Sequence, residues 1–212
     1  MNTSSRANGS SHEWYPRAML HLVHHALDAS PETLSPFVEH LSAIAGGSDL
    51  RVACPYLGLA VLEPILNRAR SWRLLTDAEA LVKSLVGAQR AEIVRFLVEH
   101  GERVRHWPDL HAKVVVGDSR ALVGSANLTA MGLGRRQEMA VAFEDCGEVE
   151  QLRGWFDALW QRCTAPSPEE LEAFRASLPE EPPDAEHGAH LQPGSSDLSD
   201  CHRTPRTSGR HR

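Results

Sequence analysis

The sequence predicts a layered α/β fold, a mixed β-sheet flanked by helices. Three observations carry that expectation. Through residues 50–107, short apolar runs alternate with stretches of helical periodicity, giving the strand, helix, strand, helix, strand rhythm of a layered sheet. Two β-branched runs then flank the turn formers Gly117-Asp118-Ser119-Arg120 and read as an antiparallel hairpin. The chain of 212 residues, 42% hydrophobic and 24% charged, has the composition of a globular domain with room for a real core.

Residues 1–12 are rich in Ser, Asn and Gly and are expected to be disordered. A helical accessory segment is expected over 13–46. Met19, Leu20, Leu22, Val23 and Leu27 read as one helix opened near Pro16. Ser35-Pro36 reads as the cap and first turn of a second helix, which stops at Gly46-Gly47. In the first helix His21, His24 and His25 stand at i, i+3 and i+4, a possible metal face. With no carboxylate or cysteine at ligand spacing, a histidine-bearing amphipathic helix is the better reading, and no metal site is assigned.

The core domain is expected over 47–165. Residues 50–54 read as a buried strand, broken by Pro55-Tyr56-Leu57-Gly58; 59–70 as a helix that Pro64 kinks or restarts; 72–75 as a strand. A short helix over 77–85 and a longer one over 91–100, closed by Gly101, precede a third strand at 103–107. After the hairpin come a short helix at 128–133, a turn at Gly134-Arg135-Arg136 and a strand at 139–143. Asp145 and Glu148 suit the start of a last core helix, whose stripe of Val149, Leu152, Phe156, Leu159 and Trp160 should pack on the sheet. Ser167-Pro168-Glu169-Glu170 opens one more helix that cannot pass Pro179. Residues 166–212 otherwise read as an acidic, largely disordered tail.

Composition narrows function as well as fold. No run is long and apolar enough to span a bilayer and the first residues lack a signal-peptide core, so a cytoplasmic protein without a membrane partner is expected. Cys54, Cys146, Cys163 and Cys201 are too scattered for a zinc site and too few for a disulfide framework, which leaves them as reduced thiols. The net charge of −6 argues weakly against a polyanion partner, yet residues 166–212 hold nine acidic residues against five arginines and carry −4 of it. The remaining chain is close to neutral.

The hairpin holds the chemistry. Side chains alternate along a strand, so His111 and Lys113 share a face, with Cα atoms about 7 Å apart. The return strand ends at Gly124, and Ser125 and Asn127 follow as short polar side chains near a helix start, suited to hold an anionic group. A base or nucleophile, a cation and neutral donors therefore converge on one small phosphate-sized site.

His111, Lys113, Asp118, Gly124, Ser125 and Asn127 match the H-x-K-x4-D, G-S-x-N signature, and on these residues the chain resembles the phospholipase D superfamily. The spacer between Asp118 and Gly124 is one residue shorter than the common form. The signature occurs once. The resemblance, over residues 50–162, implies one half-site per chain and a homodimer in which two copies of His111 meet. One would form a phosphohistidine while the other acts first as acid and then as base, without metal or other cofactor. Lys113, Asn127 and Ser125 would hold the non-bridging oxygens, Glu138 would orient the imidazole, and Asp118, though part of the signature, would take a structural or turn role.

The superfamily includes lipases, phospholipid synthases and nucleases, so the signature leaves the substrate open. Small size, one signature and no membrane-seeking helix favour a nuclease, with DNA the expected substrate ahead of RNA. Arg103, Arg105, Arg120, Arg135 and Arg136 are candidates to track phosphates, and Trp107 or Tyr56 to stack on a base. The rival expectations are a phospholipase D-type lipid phosphodiesterase or phosphatidyl transferase, and a non-catalytic nucleic-acid-binding subunit.

Overall fold

The computed structural model describes residues 19–26, 35–145 and 147–177. Among these residues seven strands form one mixed sheet: β1 (Met19–His24), β2 (Asp49–Ala53), β3 (Ser71–Thr76), β4 (Val104–His106), β5 (Val114–Val116), β6 (Arg120–Gly124) and β7 (Met139–Glu144). Their order across the sheet is β1-β7-β6-β5-β2-β3-β4. Strands β2, β3 and β4 run parallel, as strands separated by crossover helices do. β5 turns antiparallel onto β2, and the tight hairpin to β6 keeps the remaining pairs antiparallel.

Helices cover both faces. On one lie α1 (Pro36–Ala45), α2 (Leu59–Leu66), α3 (Ala78–Ser84), α4 (Gly87–Glu99), α5 (Ala130–Gly134) and α7 (Pro168–Ala176). Their apolar residues meet Leu50, Val52, Leu74, Val115 and Leu122 of the strands in the larger core. The opposite face is covered by α6 (Gly147–Trp160), whose Val149 and Phe156 bury against Ala53, Leu75, Val114, Val116 and Ala121. The alternation of partners along β5, Val115 to one side and Val114 and Val116 to the other, is the pleat of a strand covered on both faces. Burying a side chain such as Phe156 contributes about 1.5–3 kcal/mol.

Local signals explain the helix ends. Asp77 caps α3 by accepting from the Ala80 N–H at 3.0 Å. Ser167 and Glu170 form a reciprocal capping box at α7, which packs on α3 through the fully buried Leu171. Ser35 stands at the start of α1 as expected, but its hydroxyl reaches the Leu133 carbonyl of α5 rather than its own helix.

The accessory-helix expectation over 13–46 is corrected by the structure. The described part of its first half, residues 19–26, holds the edge strand β1 (Met19–His24), paired with β7 from Met19↔Glu144 to His24↔Met139. The physical reason lies in Leu20-His21-Leu22-Val23-His24, where a period of two competes with the helical spacing. Val23 turns into the core at 2% exposure, and Leu20 and Leu22 face outward at 54% and 68%. His21 and His24 consequently point to opposite faces and share no metal face. α1, the second half, is a helix but belongs to the common core through Phe37 and Leu41. The expected disordered ends, 1–12 and most of 166–212, lie outside the described residues.

Candidate active site

The topology brings the signature to one edge of the sheet. The parallel strands β2, β3 and β4 end there, at Ala53, Thr76 and His106, and the antiparallel β5 starts there. His111 to Lys113 therefore enter β5 beside the carboxyl ends of the parallel strands, where ligands of open α/β sheets bind. β6 ends at the same edge with Gly124, and β7 begins there with Met139.

His111 is exposed and Lys113 half-buried, with the Lys113 ammonium donating to the His111 carbonyl at 2.8 Å. The Gly124 N–H donates to the Lys113 carbonyl at 3.1 Å and extends the hairpin register by one residue. This close pairing needs a glycine for space: a Cβ on Gly124 would stand 2.5 Å from the Ala140 Cβ and 2.5 Å from the Met139 carbonyl. The next residue, Ser125, donates its N–H to the Met139 carbonyl at 3.0 Å, and its hydroxyl accepts from the Met139 N–H at 3.2 Å. That same hydroxyl donates to the Glu138 carboxylate.

Asn127 is fixed from three sides. Its carbonyl accepts from the Thr129 N–H at 2.8 Å, and Gly132 passes so close that a Cβ there would meet that carbonyl at 2.4 Å. Thr129 caps α5 by accepting from the Gly132 N–H at 3.0 Å. Leu128 pairs with Leu57 in an isolated parallel bridge, with the Gly58 N–H donating to the Leu128 carbonyl at 2.9 Å. The loop after β2 is thereby tied to the signature segment. Beneath them the buried Cys54 lies 3.3 Å from the Tyr56 carbonyl and 3.8 Å from Asn127 Oδ1.

His111, Lys113, Ser125, Asn127 and Glu138 thus gather at one edge. Glu138 bonds to Ser125, and His111 has no side-chain hydrogen bond among the described residues. Trp107 reaches the same edge, its backbone N–H donating to the Thr76 carbonyl at 3.0 Å, and the Arg162 guanidinium lies over its ring. Arg135 and Arg136 are exposed in the loop that leads to Glu138.

Four expected site residues lie elsewhere. Asp118 and Arg120 sit in the hairpin turn at the opposite edge, because β5 carries the chain across the sheet between His111 and the turn. There Asp118 accepts from the Asp49 N–H, from Arg70 at 3.2 Å and from Arg153 at 3.1 Å, locking the turn to β2 and α6. Burial pushes its carboxyl up, but the Asp49 and Arg153 hydrogen bonds and the Arg70 and Arg153 charges outweigh this and hold it below the ordinary aspartate range. Arg120 pairs with Glu144. Arg103 precedes β4 at that far edge with its guanidinium over Trp72, and Arg105 lies over Trp160 while donating to the Gly101 and Val104 carbonyls. These arginines are held by intramolecular partners and do not line the candidate site. Cys54 and the Tyr56 to Gly58 loop, in turn, belong to the site's frame, which the sequence signalled only by a strand end followed by Pro55.

Comparison with known proteins places this geometry. A family model described as "Cardiolipin synthase, PLD-like domain" matches residues 47–160. Among solved structures, the fold is similar to that of Nuc from Salmonella typhimurium, a phospholipase D family member: 19% identity, TM-score 0.51, covering 69% of this chain and 97% of Nuc. NucT from Helicobacter pylori gives 12% identity and a TM-score of 0.54 over 70% of this chain and 99% of NucT. A phosphatidylserine synthase from Haemophilus influenzae gives 17% identity and a TM-score of 0.51 over 77% of this chain but 46% of its own. No curated protein sequence matches the chain. With the family model spanning more than half the sequence and the strand order carrying its signature to one sheet edge, the chain belongs to the phospholipase D-like domain family.

Proposed function

We propose that this protein is a metal-independent phosphodiesterase that cleaves nucleic acid, DNA in preference to RNA, through a phosphohistidine. The observation that carries the proposal is the exposed His111, whose ring has no hydrogen bond among the described residues and whose carbonyl accepts from the Lys113 ammonium, with the Ser125–Glu138 pair and Asn127 at the same edge.

The chemistry follows from what these groups can do. Neutral His111 attacks phosphorus, a nitrogen–phosphorus bond forms, and the bond to the leaving oxygen breaks as a proton reaches that oxygen. Water then attacks the phosphohistidine, giving up a proton to the group that had donated one, and His111 is released. Lys113 and Asn127 offset the charge that builds on the non-bridging oxygens, where removal of one preorganised donor costs about 10²–10³ in rate. Each turnover needs a second imidazole, protonated when the first is neutral. One chain brings one copy of the signature, and a second copy of this chain supplies the other. Met139, bonded to Ser125 through its backbone, and Leu22 on the neighbouring strand β1 are exposed and offer apolar surface for that pairing.

A nucleic-acid substrate is favoured over a lipid by two features. The fold covers nearly all of Nuc and NucT but less than half of the phosphatidylserine synthase. Exposed Arg135 and Arg136, in the loop that leads to Glu138, provide phosphate contacts along the site edge. The test is cleavage of labelled DNA, RNA and phosphatidylcholine in EDTA by wild type and His111→Ala. Cleavage of DNA in EDTA that the substitution abolishes supports the proposal, because His111→Ala removes both the nucleophile and its acid–base partner; activity that appears only with added divalent metal, or only on the lipid, rejects it.

A further inference from the structure

The two ends of an asparagine amide have nearly the same shape and opposite chemistry. Turned one way, Asn127 offers two N–H donors to a phosphate; turned the other, it sets an acceptor oxygen against the phosphate oxygens. The surroundings on the protein side decide which. Cys54, fully buried at the end of β2, places Sγ 3.8 Å from Asn127 Oδ1 and 3.3 Å from the Tyr56 carbonyl. Burial pushes the thiol up, and backbone hydrogen bonding with Leu128 and Tyr56 and the Lys113 charge do not bring it back down. At neutral pH the sulfur therefore keeps its proton and is a donor, shared between two carbonyl-type oxygens that both turn toward it.

We propose that Cys54 is a positioning residue: its thiol holds the Asn127 amide oxygen inward and so aims the Asn127 N–H groups at the substrate phosphate. The proposal rests on the phosphodiesterase function above. Cys54 touches neither phosphate nor imidazole. It acts through Asn127, and through the Tyr56 carbonyl it ties the loop after β2 to the same point. No serine, cysteine or histidine signature marks it in the sequence, because the residue comes from a strand whose end reaches the site only in the folded sheet.

The test is a double-mutant cycle on bis(4-nitrophenyl) phosphate in EDTA, with thermal unfolding measured in parallel, for wild type, Cys54→Ala, Cys54→Ser, Asn127→Ala and the Cys54→Ala/Asn127→Ala pair. Cys54→Ala is expected to lower kcat about three- to tenfold, the range of one lost hydrogen bond, with KM within about twofold. Cys54→Ser keeps a hydroxyl donor and recovers most of the loss. In the Asn127→Ala background Cys54→Ala changes nothing further. Cys54→Val, apolar and without a donor, replaces Cys54→Ala if the latter does not fold. Three results overturn the proposal: wild-type kcat in Cys54→Ala, the same loss with or without Asn127, or Cys54→Ser no better than Cys54→Ala. Failure of the wild type to turn over this diester, DNA or RNA instead overturns the function on which the proposal rests.

Discussion

Gly124 is where packing and chemistry meet, and Gly124→Ala is the perturbation that separates them. The added Cβ would lie 2.5 Å from the Ala140 Cβ, 2.5 Å from the Met139 carbonyl and 2.8 Å from the Ala140 Cα. Two of these three are backbone atoms of β7, so no side-chain rotation relieves the clash, and β6 and β7 must part. Overpacking of this kind costs about 1–3 kcal/mol. At about 2–4 °C per kcal/mol for a domain of this size, Tm should fall by about 2–12 °C. The displaced residues are those bonded across the junction, Ser125 to Met139 and to Glu138. A shift of about 1 Å at such a site costs about 10²-fold in rate. Diester turnover per folded molecule, measured beside thermal unfolding, should therefore drop well beyond what the lost stability explains. Adding Ala140→Gly removes one of the three contacts and should recover part of the stability. A Gly124→Ala protein with wild-type Tm and turnover would refute the reasoning that this close approach sets the site.

Two further predictions test the anchor of the hairpin turn and the substrate. Asp118→Asn should lower stability at neutral pH by up to about 1 kcal/mol, given the side chain's partial exposure, and leave turnover unchanged. Because the folded carboxyl titrates below its unfolded value, that contribution is present at neutral pH and lost as pH falls through the folded value, so wild-type and variant denaturation midpoints should converge in acid; a turnover defect at full stability would return Asp118 to the catalytic machinery. Arg135→Gln/Arg136→Gln should weaken DNA binding and reduce the salt dependence of the logarithm of affinity by about two contacts' worth; an unchanged slope by filter binding across a salt series would remove both arginines from the substrate path.

Much of the fold was legible because strands β2 to β7 announce themselves by β-branched or leucine-rich runs between strong caps and turns. Asp77, Gly101 and Ser167 sit at or next to the element ends the structure shows. β1 was not legible. Six residues mixing leucine, valine and histidine satisfy a helical and an alternating pattern alike, and pairing with β7, distant in sequence, decides between them. The site divided along a similar line. His111, Lys113, Ser125 and Asn127 come from one continuous segment whose spacing carries its own geometry. Closeness in sequence does not place the arginines, because a strand that crosses the sheet puts neighbours such as Lys113 and Arg120 at opposite edges. Arg103 and Arg105 show the other difficulty, since exposed-looking cations find aromatic rings, Trp72 and Trp160, that only the tertiary fold supplies. Cys54, expected only as a reduced thiol, packs in the larger core. Its second contact, to Asn127, depends on the loop after β2 meeting the segment after β6.

The central claim is that His111 becomes covalently bound to phosphorus. It is tested most directly by quenching the enzyme into alkali during turnover of 32P-labelled DNA in EDTA, where phosphohistidine survives, and mapping the label by peptide mass spectrometry. The account predicts label on the His111 peptide, none in His111→Ala, and one labelled histidine for every two chains. Turnover without any label, label on another residue, or label that forms only when divalent metal is added would contradict it.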